Sequence, residues 1–185
     1  WELREKSQKD SLTGLLNNST IKQQIGARLQ SLKRGQTGYL VVQDVDSFKK
    51  INDTNGHLFG DAVLCSFADE LSNIFPEALK GRIGGDEFVF YVEDMDREHL
   101  EEKLKQLNRC MSDRYDDDKT GLHISCSLGA AVTDGTVTDY NLLFQWADAA
   151  LYQVKSKGKG AYYLLDVKEG VALPGKSYLD SEENK

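Results

Sequence analysis

The residues Gly84-Gly85-Asp86-Glu87 stand between two short apolar runs, and they constrain the fold more than any other stretch of the chain. The apolar runs predict two short strands, at about 81–83 and 88–92, and the Gly-Gly pair between them predicts a tight hairpin. Glycine tolerates a positive φ and lets another molecule approach the backbone, and two adjacent carboxylates favour a bound cation. The alternative is an ordinary solvated turn, because turns commonly contain these residue types.

Hydrophobic periodicity predicts the remaining helices and strands. Apolar residues at helical spacing predict four helices, with Ser19 as the cap of the first, at about 19–35, 58–75, 100–111 and 140–155. Runs rich in β-branched and aromatic residues predict further strands at about 39–42, 122–132 and 162–165. The polar segment 49–57 is predicted to form turns. Helices and strands follow one another in mixed order, which predicts a helix-flanked sheet with antiparallel pairing.

Size and charge restrict the class of protein. The chain has 185 residues, of which 39% are hydrophobic, and a formal net charge of −7. This length suits one domain with a substantial core. The acidic balance argues against nonspecific nucleic-acid binding, which needs a basic surface. It is compatible with a nucleotide ligand if metal ions and a few placed cations offset the phosphates.

No part of the sequence resembles a membrane span. The longest apolar run is far shorter than the roughly 18–20 residues that a spanning helix needs. We therefore expect a soluble, cytoplasmic segment that makes no membrane contact. Because the sequence starts at Trp1 rather than at Met, we also expect an upstream region, which in the full-length protein can include a membrane attachment.

Three acidic residues lie at the ends or turns of two predicted strands, and they would form an oxygen-rich cluster if those strands are neighbours in one sheet. Asp44 follows a predicted strand, and Asp86 and Glu87 lie in the predicted hairpin. Alternation along a strand places Asp44 and Asp46 on the same side. Carboxylates that lie close together repel one another unless a cation or a proton compensates, and hard oxygen ligands suit Mg²⁺ or Mn²⁺. If the two strands are neighbours, these acids predict a divalent metal site.

Polar residues that suit a nucleotide follow the first acid. Lys49 and backbone amides beside a metal-binding strand end can hold phosphates, while Asn52 and Asp61 can pair with the edge of a base. Taken singly, Lys49 is equally well explained as a surface charge, and His57 as a histidine of a turn or of the core.

Two further lysines, Lys155 and Lys159, lie near the end of the last predicted helix. Cations are favoured at helix C-termini, so a structural role explains these lysines as well as a contact with phosphate does.

Five ordered motifs resemble those of the GGDEF family of diguanylate cyclases, over about residues 10–165. They are Asp10-Ser11-Leu12-Thr13-Gly14-Leu15, Asp44-Val45-Asp46-Ser47-Phe48-Lys49-Lys50-Ile51-Asn52-Asp53, Gly56-His57-Leu58-Phe59-Gly60-Asp61, Gly84-Gly85-Asp86-Glu87-Phe88, and Tyr152-Gln153-Val154-Lys155-Ser156-Lys157-Gly158-Lys159. Each motif is weak alone, but five in order make chance a poor explanation.

The resemblance implies an α+β domain with a central, mainly antiparallel five-stranded sheet flanked by helices, similar to nucleotidyl cyclases and the palm of polymerases. It also divides the chain into three parts. These are the end of an upstream helical linker at 1–9, the GGDEF domain at 10–166, and a C-terminal tail or linker at 167–185.

The resemblance implies a reaction in which two GTP molecules condense to cyclic di-GMP with release of two pyrophosphates. It implies two Mg²⁺ or Mn²⁺ ions per active site, bound by Asp44, the Val45 carbonyl, Asp86 and Glu87. Asp86 and Glu87 would be the catalytic residues, and Glu87 would also help to deprotonate the attacking 3′-hydroxyl. Metal-assisted phosphoryl transfer needs that hydroxyl activated and the leaving pyrophosphate neutralised.

The resemblance also implies how GTP is held. The substrate-binding residues would be Phe48, Lys49, Asn52, His57, Asp61, Gly84, Gly85, Lys155 and Lys159. Phe48 and Lys49 would contact phosphates, the two late lysines the terminal phosphates, and Asn52 and Asp61 the guanine. A carboxylate at Asp61 accepts hydrogen bonds from guanine N–H groups, whereas adenine presents a ring acceptor there.

Each domain would hold one GTP, so the chemistry requires a homodimer whose two sites face each other. An upstream sensor or regulatory domain would control that encounter. Two alternatives stay open. One is a catalytically silent GTP-binding regulatory module of the same fold, and the other is a structural interaction domain whose acids are solvated turns.

The sequence departs from the family pattern at a few positions. The family's product-inhibition motif, Arg-x-x-Asp, would fall on Phe75-Pro76-Glu77-Ala78, where both charges are absent. We therefore predict no feedback by cyclic di-GMP through this segment. Asn18 and Lys159 stand where the family commonly has Arg, and Gly160 where it commonly has Asn. Lysine keeps the charge but loses the bidentate geometry of arginine, so we expect weaker GTP binding.

Overall fold

The computed structural model describes residues 7–173 and forms one five-stranded sheet with helices on both faces. The strands are β1 (Gly38–Val45), β2 (Leu79–Gly84), β3 (Glu87–Glu93), β4 (Cys126–Thr133) and β5 (Tyr162–Asp166). The helices are α1 (Asn18–Ser31), α2 (Phe48–Asn55), α3 (His57–Ile74), α4 (Arg97–Tyr115) and α5 (Tyr140–Ser156). The predicted linker 1–9 and tail 167–185 lie partly outside the described residues.

The strand order is β2-β3-β1-β4-β5, so β1 is the central strand. It pairs antiparallel with β3 and with β4, and only β5 runs parallel to its neighbour β4. Every residue of β1 is buried, because helices cover both faces of the sheet. The predicted fold, a mainly antiparallel five-stranded sheet flanked by helices, is confirmed.

The two faces of the sheet have separate apolar cores. Alternate residues of β1 point to opposite faces. Tyr39, Val41 and Val45 pack with the apolar sides of α3 and α4. Leu40 and Val42 pack with α1 and α5. Asp44 continues the second set, so its carboxylate lies on the face that α5 covers.

Two local predictions need correction. Helix α1 begins at Asn18 with Asn17 as its cap, not Ser19, because the Asn17 side-chain oxygen accepts the Thr20 N–H at 3.0 Å. The segment predicted to form turns is instead the helix α2. It has eight residues and buries only Ile51, so its apolar periodicity is too short to be recognised.

The predicted hairpin is present and lies at the edge of the sheet. Strand β2 ends at Gly84 and β3 begins at Glu87, so Gly85 and Asp86 form the tip. The outer side of β2 is partly paired by the N-terminal loop. The Leu16 N–H donates to the Lys80 carbonyl at 3.2 Å, and the Arg82 N–H donates to the Leu16 carbonyl at 2.9 Å. This edge is therefore closed next to the hairpin.

None of the helices between residues 7 and 173 combines the length and the apolar character that a membrane crossing requires.

Candidate active site

The end of the central strand and the tip of the hairpin bring the predicted acids together. Asp44 lies directly opposite Glu87 in the β1–β3 register. The Val45 N–H donates to the Asp86 carbonyl at 3.3 Å, which holds the tip against the end of β1. The neighbour of Asp44 on the other side is Ser127 of β4. The three acids thus lie at the junction of two neighbouring strands, as the sequence predicted.

Burial and neighbouring carboxylates make the ionisation of Asp86 and Glu87 unfavourable. Burial, followed by interactions with Asp44 and Glu87, raises the pKa of Asp86 to about 7. The pKa of Glu87 is also raised, first by burial and then by Asp44 and Asp148, while Lys155 opposes the rise. A cation bound between the acids would remove this cost.

One cation, Lys155 of α5, is already present. Its ammonium group forms an ion pair with Asp44 Oδ2. Burial lowers the pKa of Lys155, but the hydrogen bond and the charge of Asp44 outweigh it, so the net direction is upward. Asp44 itself is 7% exposed, and its other oxygen, Oδ1, is buried without a hydrogen-bond partner. Lys155 therefore pairs with only one of the two carboxylate oxygens of Asp44.

The residues present suit a divalent ion, although they do not form a complete set of protein ligands. Within residues 7–173, no group of three or more Asp, Glu, His or Cys side chains is arranged as a metal site. The unpartnered Asp44 Oδ1 and the raised pKa of Asp86 nevertheless mark two oxygen donors that lack a positive partner. Mg²⁺ typically binds through one or two carboxylates together with water and phosphate oxygens, so this incomplete set fits it.

The hairpin tip is held by a residue to which the sequence analysis gave no role. Arg82 donates to the Gly85 carbonyl from Nε at 2.9 Å and from Nη2 at 2.7 Å. Its Nη1 forms an ion pair with Asp10 Oδ1 at 3.2 Å. This arginine links the tip to the N-terminal loop. Asp10 also accepts the Thr13 N–H at 2.8 Å, which fixes the loop in turn.

The glycines of the hairpin are not required by backbone conformation. Neither Gly84 nor Gly85 has a positive φ. A Cβ at Gly85 would meet no heavy atom within 4 Å, so the tip is open. What these residues provide is space beside Asp86, where a large ligand can approach the backbone.

The first turn of α2 lies next to the acids and presents free N–H groups. Ser47, in the N-cap position, has φ 54 and makes no side-chain cap. Phe48 packs against the core below, while Lys49 is exposed. The N-terminus of a helix attracts anions, so this turn is suited to phosphate.

Lys159 approaches the same turn from the other end of the chain. It lies in the loop between α5 and β5, and its ammonium group donates to Ser47 Oγ at 3.2 Å. Lys159 has φ 68, a conformation that side-chain-bearing residues seldom adopt. A groove of about 390 Å³ lies beside this loop. The two predicted lysines thus reach the site from α5 and from the loop that follows it.

The predicted base-binding residues lie where α2 meets α3. Asn52 Oδ1 is buried and has no hydrogen-bond partner. A Cβ at Gly60 would lie 1.8 Å from this oxygen, so only glycine leaves room for Asn52 in its present position. Asp61 follows Gly60 and is partly buried, whereas His57, the first residue of α3, is exposed. The structure therefore offers an unpaired acceptor at Asn52 and gives His57 no contact with the acids.

A family described as "Diguanylate cyclase, GGDEF domain" matches residues 7–161. The chain belongs to the GGDEF family. The match covers every element described above up to the start of β5.

Two curated relatives and one solved structure illustrate the range of GGDEF proteins. The diguanylate cyclase DgcS of Shewanella oneidensis is 35% identical over 164 residues, which cover 84% of this chain and 52% of DgcS. The cyclic di-GMP phosphodiesterase PdeR of Escherichia coli is 30% identical over 161 residues, which cover 86% of this chain and 24% of PdeR. The chain thus spans about half of the first relative and a quarter of the second.

The solved structure is the GGDEF domain of DgcB from Caulobacter crescentus in complex with c-di-GMP. It superposes with a TM-score of 0.77 at 27% identity and covers 88% of this chain and 98% of that domain.

Three residues of this GGDEF domain were assigned no role from the sequence. Besides Arg82, they are Asp46, which lies two residues after Asp44, and Asp148 of α5. Burial raises the pKa of Asp148, and Asp44 adds to the rise while Lys155 opposes it. Asp148 and Lys155 are seven residues apart, so they share one helix face. That spacing was the available signal for Asp148, and alternation with Asp44 was the signal for Asp46.

Proposed function

We propose that this domain is an active diguanylate cyclase, in which two GTP molecules condense to cyclic di-GMP and two pyrophosphates. The main support for this proposal is the pair of neighbouring carboxylates Asp44 and Asp86. Asp44 has a buried oxygen without a hydrogen-bond partner, and the pKa of Asp86 is raised to about 7. A site that only stabilised the fold would pair these groups. An unsatisfied carboxylate oxygen beside a carboxyl of raised pKa is typical of a functional site.

We infer that Asp44, the Val45 carbonyl, Asp86 and Glu87 hold two Mg²⁺ or Mn²⁺ ions. When bound, such ions supply the positive charge that activates the 3′-hydroxyl and stabilises the leaving pyrophosphate. The acids would then no longer repel one another. Glu87, the first residue of β3, would accept the proton of the attacking 3′-hydroxyl.

Lys155 has two alternative partners in this proposal. It now pairs with Asp44, and it would exchange that carboxylate for a terminal phosphate when a divalent ion binds Asp44. Lys159 and the first-turn N–H groups of Phe48 and Lys49 would hold the remaining phosphate oxygens. These groups keep the triphosphate extended from the metal site toward the α5–β5 loop.

The guanine would lie against the start of α3. Asn52 Oδ1 needs a donor, and the N–H groups of guanine supply one. Asp61 would accept the guanine ring N–H and one amino N–H. Gly84 and Gly85 would leave the nucleotide room above the hairpin. Adenine presents a ring acceptor at this edge, so Asp61 would lose its ring N–H partner, and an unpaired buried acceptor costs about 1–3 kcal/mol.

Each domain binds one GTP in this scheme, so each 3′-hydroxyl must reach the α-phosphate held by a second copy. Two bonds form between ribose oxygens and α-phosphorus atoms, and two bonds to pyrophosphate break. Activity should therefore require a homodimer and rise more than linearly with protein concentration. Since relatives such as DgcS and PdeR are much longer than this chain, we propose that an upstream regulatory domain sets the encounter. We also propose a cytoplasmic location, where GTP is supplied.

The decisive experiment is product analysis by mass spectrometry after incubation with GTP and Mg²⁺ or Mn²⁺. It should include a series of protein concentrations and a version dimerised by a fused coiled coil. We expect cyclic di-GMP from the wild type and none from Asp86→Ala. No product from the forced dimer at high concentration would refute the proposal.

The second candidate is a catalytically silent module that binds GTP. The ion pair between Lys155 and Asp44 favours it, because the pair opposes metal binding. Tight GTP binding without turnover, measured by calorimetry alongside the product assay, would establish this alternative.

A further inference from the structure

Asp46 is a buried acid that the proposed chemistry leaves without a role. It is 7% exposed. Its carboxylate accepts three hydrogen bonds from neutral donors, namely Ser125 Oγ at 2.6 Å, Ser127 Oγ at 2.6 Å and the Gly160 N–H at 2.9 Å. Both oxygens are therefore already hydrogen-bonded within the protein.

One of those donors belongs to the loop that carries Lys159. Gly158, Lys159 and Gly160 have φ values of 112, 68 and 64. The two glycines adopt such values freely, but Lys159 does so at a cost, so its conformation depends on the contacts that hold the loop. One side of the loop borders the groove of about 390 Å³, whose lining includes the polar residues Asn108 and Ser112. Because apolar packing does not fix the side of the loop that faces the groove, hydrogen bonds have to fix it.

The backbone of Asp46 fixes the other proposed phosphate-binding element. The Asp46 N–H donates to the Ser125 carbonyl at 2.9 Å. The next residue, Ser47, occupies the N-cap position of α2 and accepts the Lys159 ammonium group at 3.2 Å. Asp46 therefore connects the first turn of α2 with the Lys159 loop, in addition to the direct hydrogen bond between Lys159 and Ser47.

We propose that Asp46 is a positioning residue that holds Lys159 and the first turn of α2 at the separation needed for the terminal phosphates of GTP. The proposal rests on the proposed function. Its physical basis is preorganisation, because a loop that is already ordered does not have to be ordered when the ligand binds. Asp46 would act through Lys159 and would not touch the nucleotide.

The first test compares nucleotides with and without terminal phosphates. Isothermal titration calorimetry with Mg²⁺ would measure a non-hydrolysable GTP analogue and GMP on the wild type and on Asp46→Asn. Loss of one charge-assisted contact predicts about tenfold weaker binding of the GTP analogue and a change of less than about twofold for GMP. Equal weakening for both nucleotides would overturn the proposal.

Asp134→Asn is the matched control. Asp134 also accepts one backbone N–H and one hydroxyl within its own loop, from Thr136 at 3.0 and 2.6 Å, but it follows the opposite end of β4. This variant should bind both nucleotides like the wild type. A loss equal to that of Asp46→Asn would mean that weaker binding reflects general loosening of a loop.

A double-mutant cycle tests whether Asp46 acts through Lys159. Lys159→Ala should reproduce the loss seen with Asp46→Asn, and the double variant should lose little more, because both changes remove one interaction. Fully additive losses would contradict a shared role.

A measurement without nucleotide separates this proposal from the proposed function. Hydrogen exchange of the Gly160 amide, followed by NMR in the free protein, should be faster in Asp46→Asn than in the wild type. If Asp46→Asn fails to fold, Ser125→Ala removes one donor to the Asp46 oxygen that accepts the Gly160 N–H and should show a smaller increase. Ser127 is unsuitable for this purpose, because its Oγ accepts the Gly160 N–H directly at 3.2 Å. Unchanged exchange overturns the positioning role. If the wild type binds no guanine nucleotide, the proposed function is overturned. Faster exchange of the Gly160 amide in Asp46→Asn would still support the role of Asp46 in fixing the loop.

Discussion

Replacing Asp86 with Asn should stabilise the metal-free domain. The pKa of this carboxyl rises from 3.8 to about 7, first because of burial and then because of Asp44 and Glu87. The pKa of Asp86 thus differs by about three between the unfolded and the folded state, and a pKa difference of one corresponds to about 1.4 kcal/mol. The upper bound on the gain in unfolding free energy is therefore about 4 kcal/mol. The carboxyl is only partly buried, so solvent screening reduces the expected gain to about 1–2 kcal/mol at neutral pH. For a chain of this size this corresponds to about 2–8 °C in Tm.

The pH dependence gives the same prediction an independent check. Between about pH 4 and 7 the folded state keeps a proton on Asp86 that the unfolded chain has released, so the wild type loses stability as pH rises through this window. Asn binds no proton, so the variant should lack this part of the decline. Its advantage should therefore be absent near pH 4 and complete somewhat above pH 7.

Thermal and urea unfolding in EDTA, at about pH 5 and pH 7.5, would measure both effects. Asp118→Asn is the matched control, because it removes the same charge from an exposed turn and corrects for the net charge of −7. Mg²⁺ should stabilise the wild type more than Asp86→Asn. If Asp86→Asn gains no more than Asp118→Asn at pH 7.5, the acids do not repel one another as described.

Four other predictions follow from single contacts. Lys155→Ala should bind Mn²⁺ about threefold to tenfold more tightly in a paramagnetic-resonance titration, because the change frees Asp44. The same variant should bind GTP more weakly. Weaker Mn²⁺ binding would refute competition between Lys155 and the metal for Asp44. Asp61→Ser should lose preference for GTP over ATP in competition binding, and an unchanged preference would exclude the guanine contact. Gln43→Met should raise stability by about 1–3 kcal/mol in urea unfolding, because Gln43 is fully buried and neither amide atom makes a hydrogen bond of normal geometry. A loss of stability would show that the interaction of Gln43 with the Cys126 thiol is stabilising. Cyclic di-GMP should not inhibit through residues 75–78, and inhibition at micromolar levels that changes with mutations there would disprove this.

The parts of the fold that the sequence predicted have long or distinctive local patterns. Helices α3, α4 and α5 repeat apolar residues over four or five turns, and the hairpin is marked by its paired glycines. Helix α2 escaped prediction because one buried residue, Ile51, leaves no period to detect. The cap of α1 was misplaced by two residues because Asn17 and Ser19 are both good capping residues, and only the geometry shows which one accepts the Thr20 N–H.

The candidate site was predicted as a set of residues but not as a set of contacts. Asp44 and Lys155 are far apart in sequence, and their ion pair depends on how α5 crosses the sheet. The hydrogen bonds of Asp46 depend in the same way on Ser125 and Ser127 of a different strand. Local sequence carries no information on such pairings, so the ion pair of Lys155 with Asp44, on which the proposed competition with a metal rests, could be found only from the structure.

The pairing of Leu16 with the outer side of β2 limits how two copies can approach each other. An unpaired sheet edge invites a second chain to add a strand. Here the N–H and carbonyl groups of Leu16 already occupy that edge at Lys80 and Arg82, immediately before the hairpin. A continuous sheet across two molecules is therefore blocked beside the acids. In the proposed dimer the two sites would therefore meet face to face, through side chains and nucleotide, and such an encounter would be made and broken without rearranging any strand.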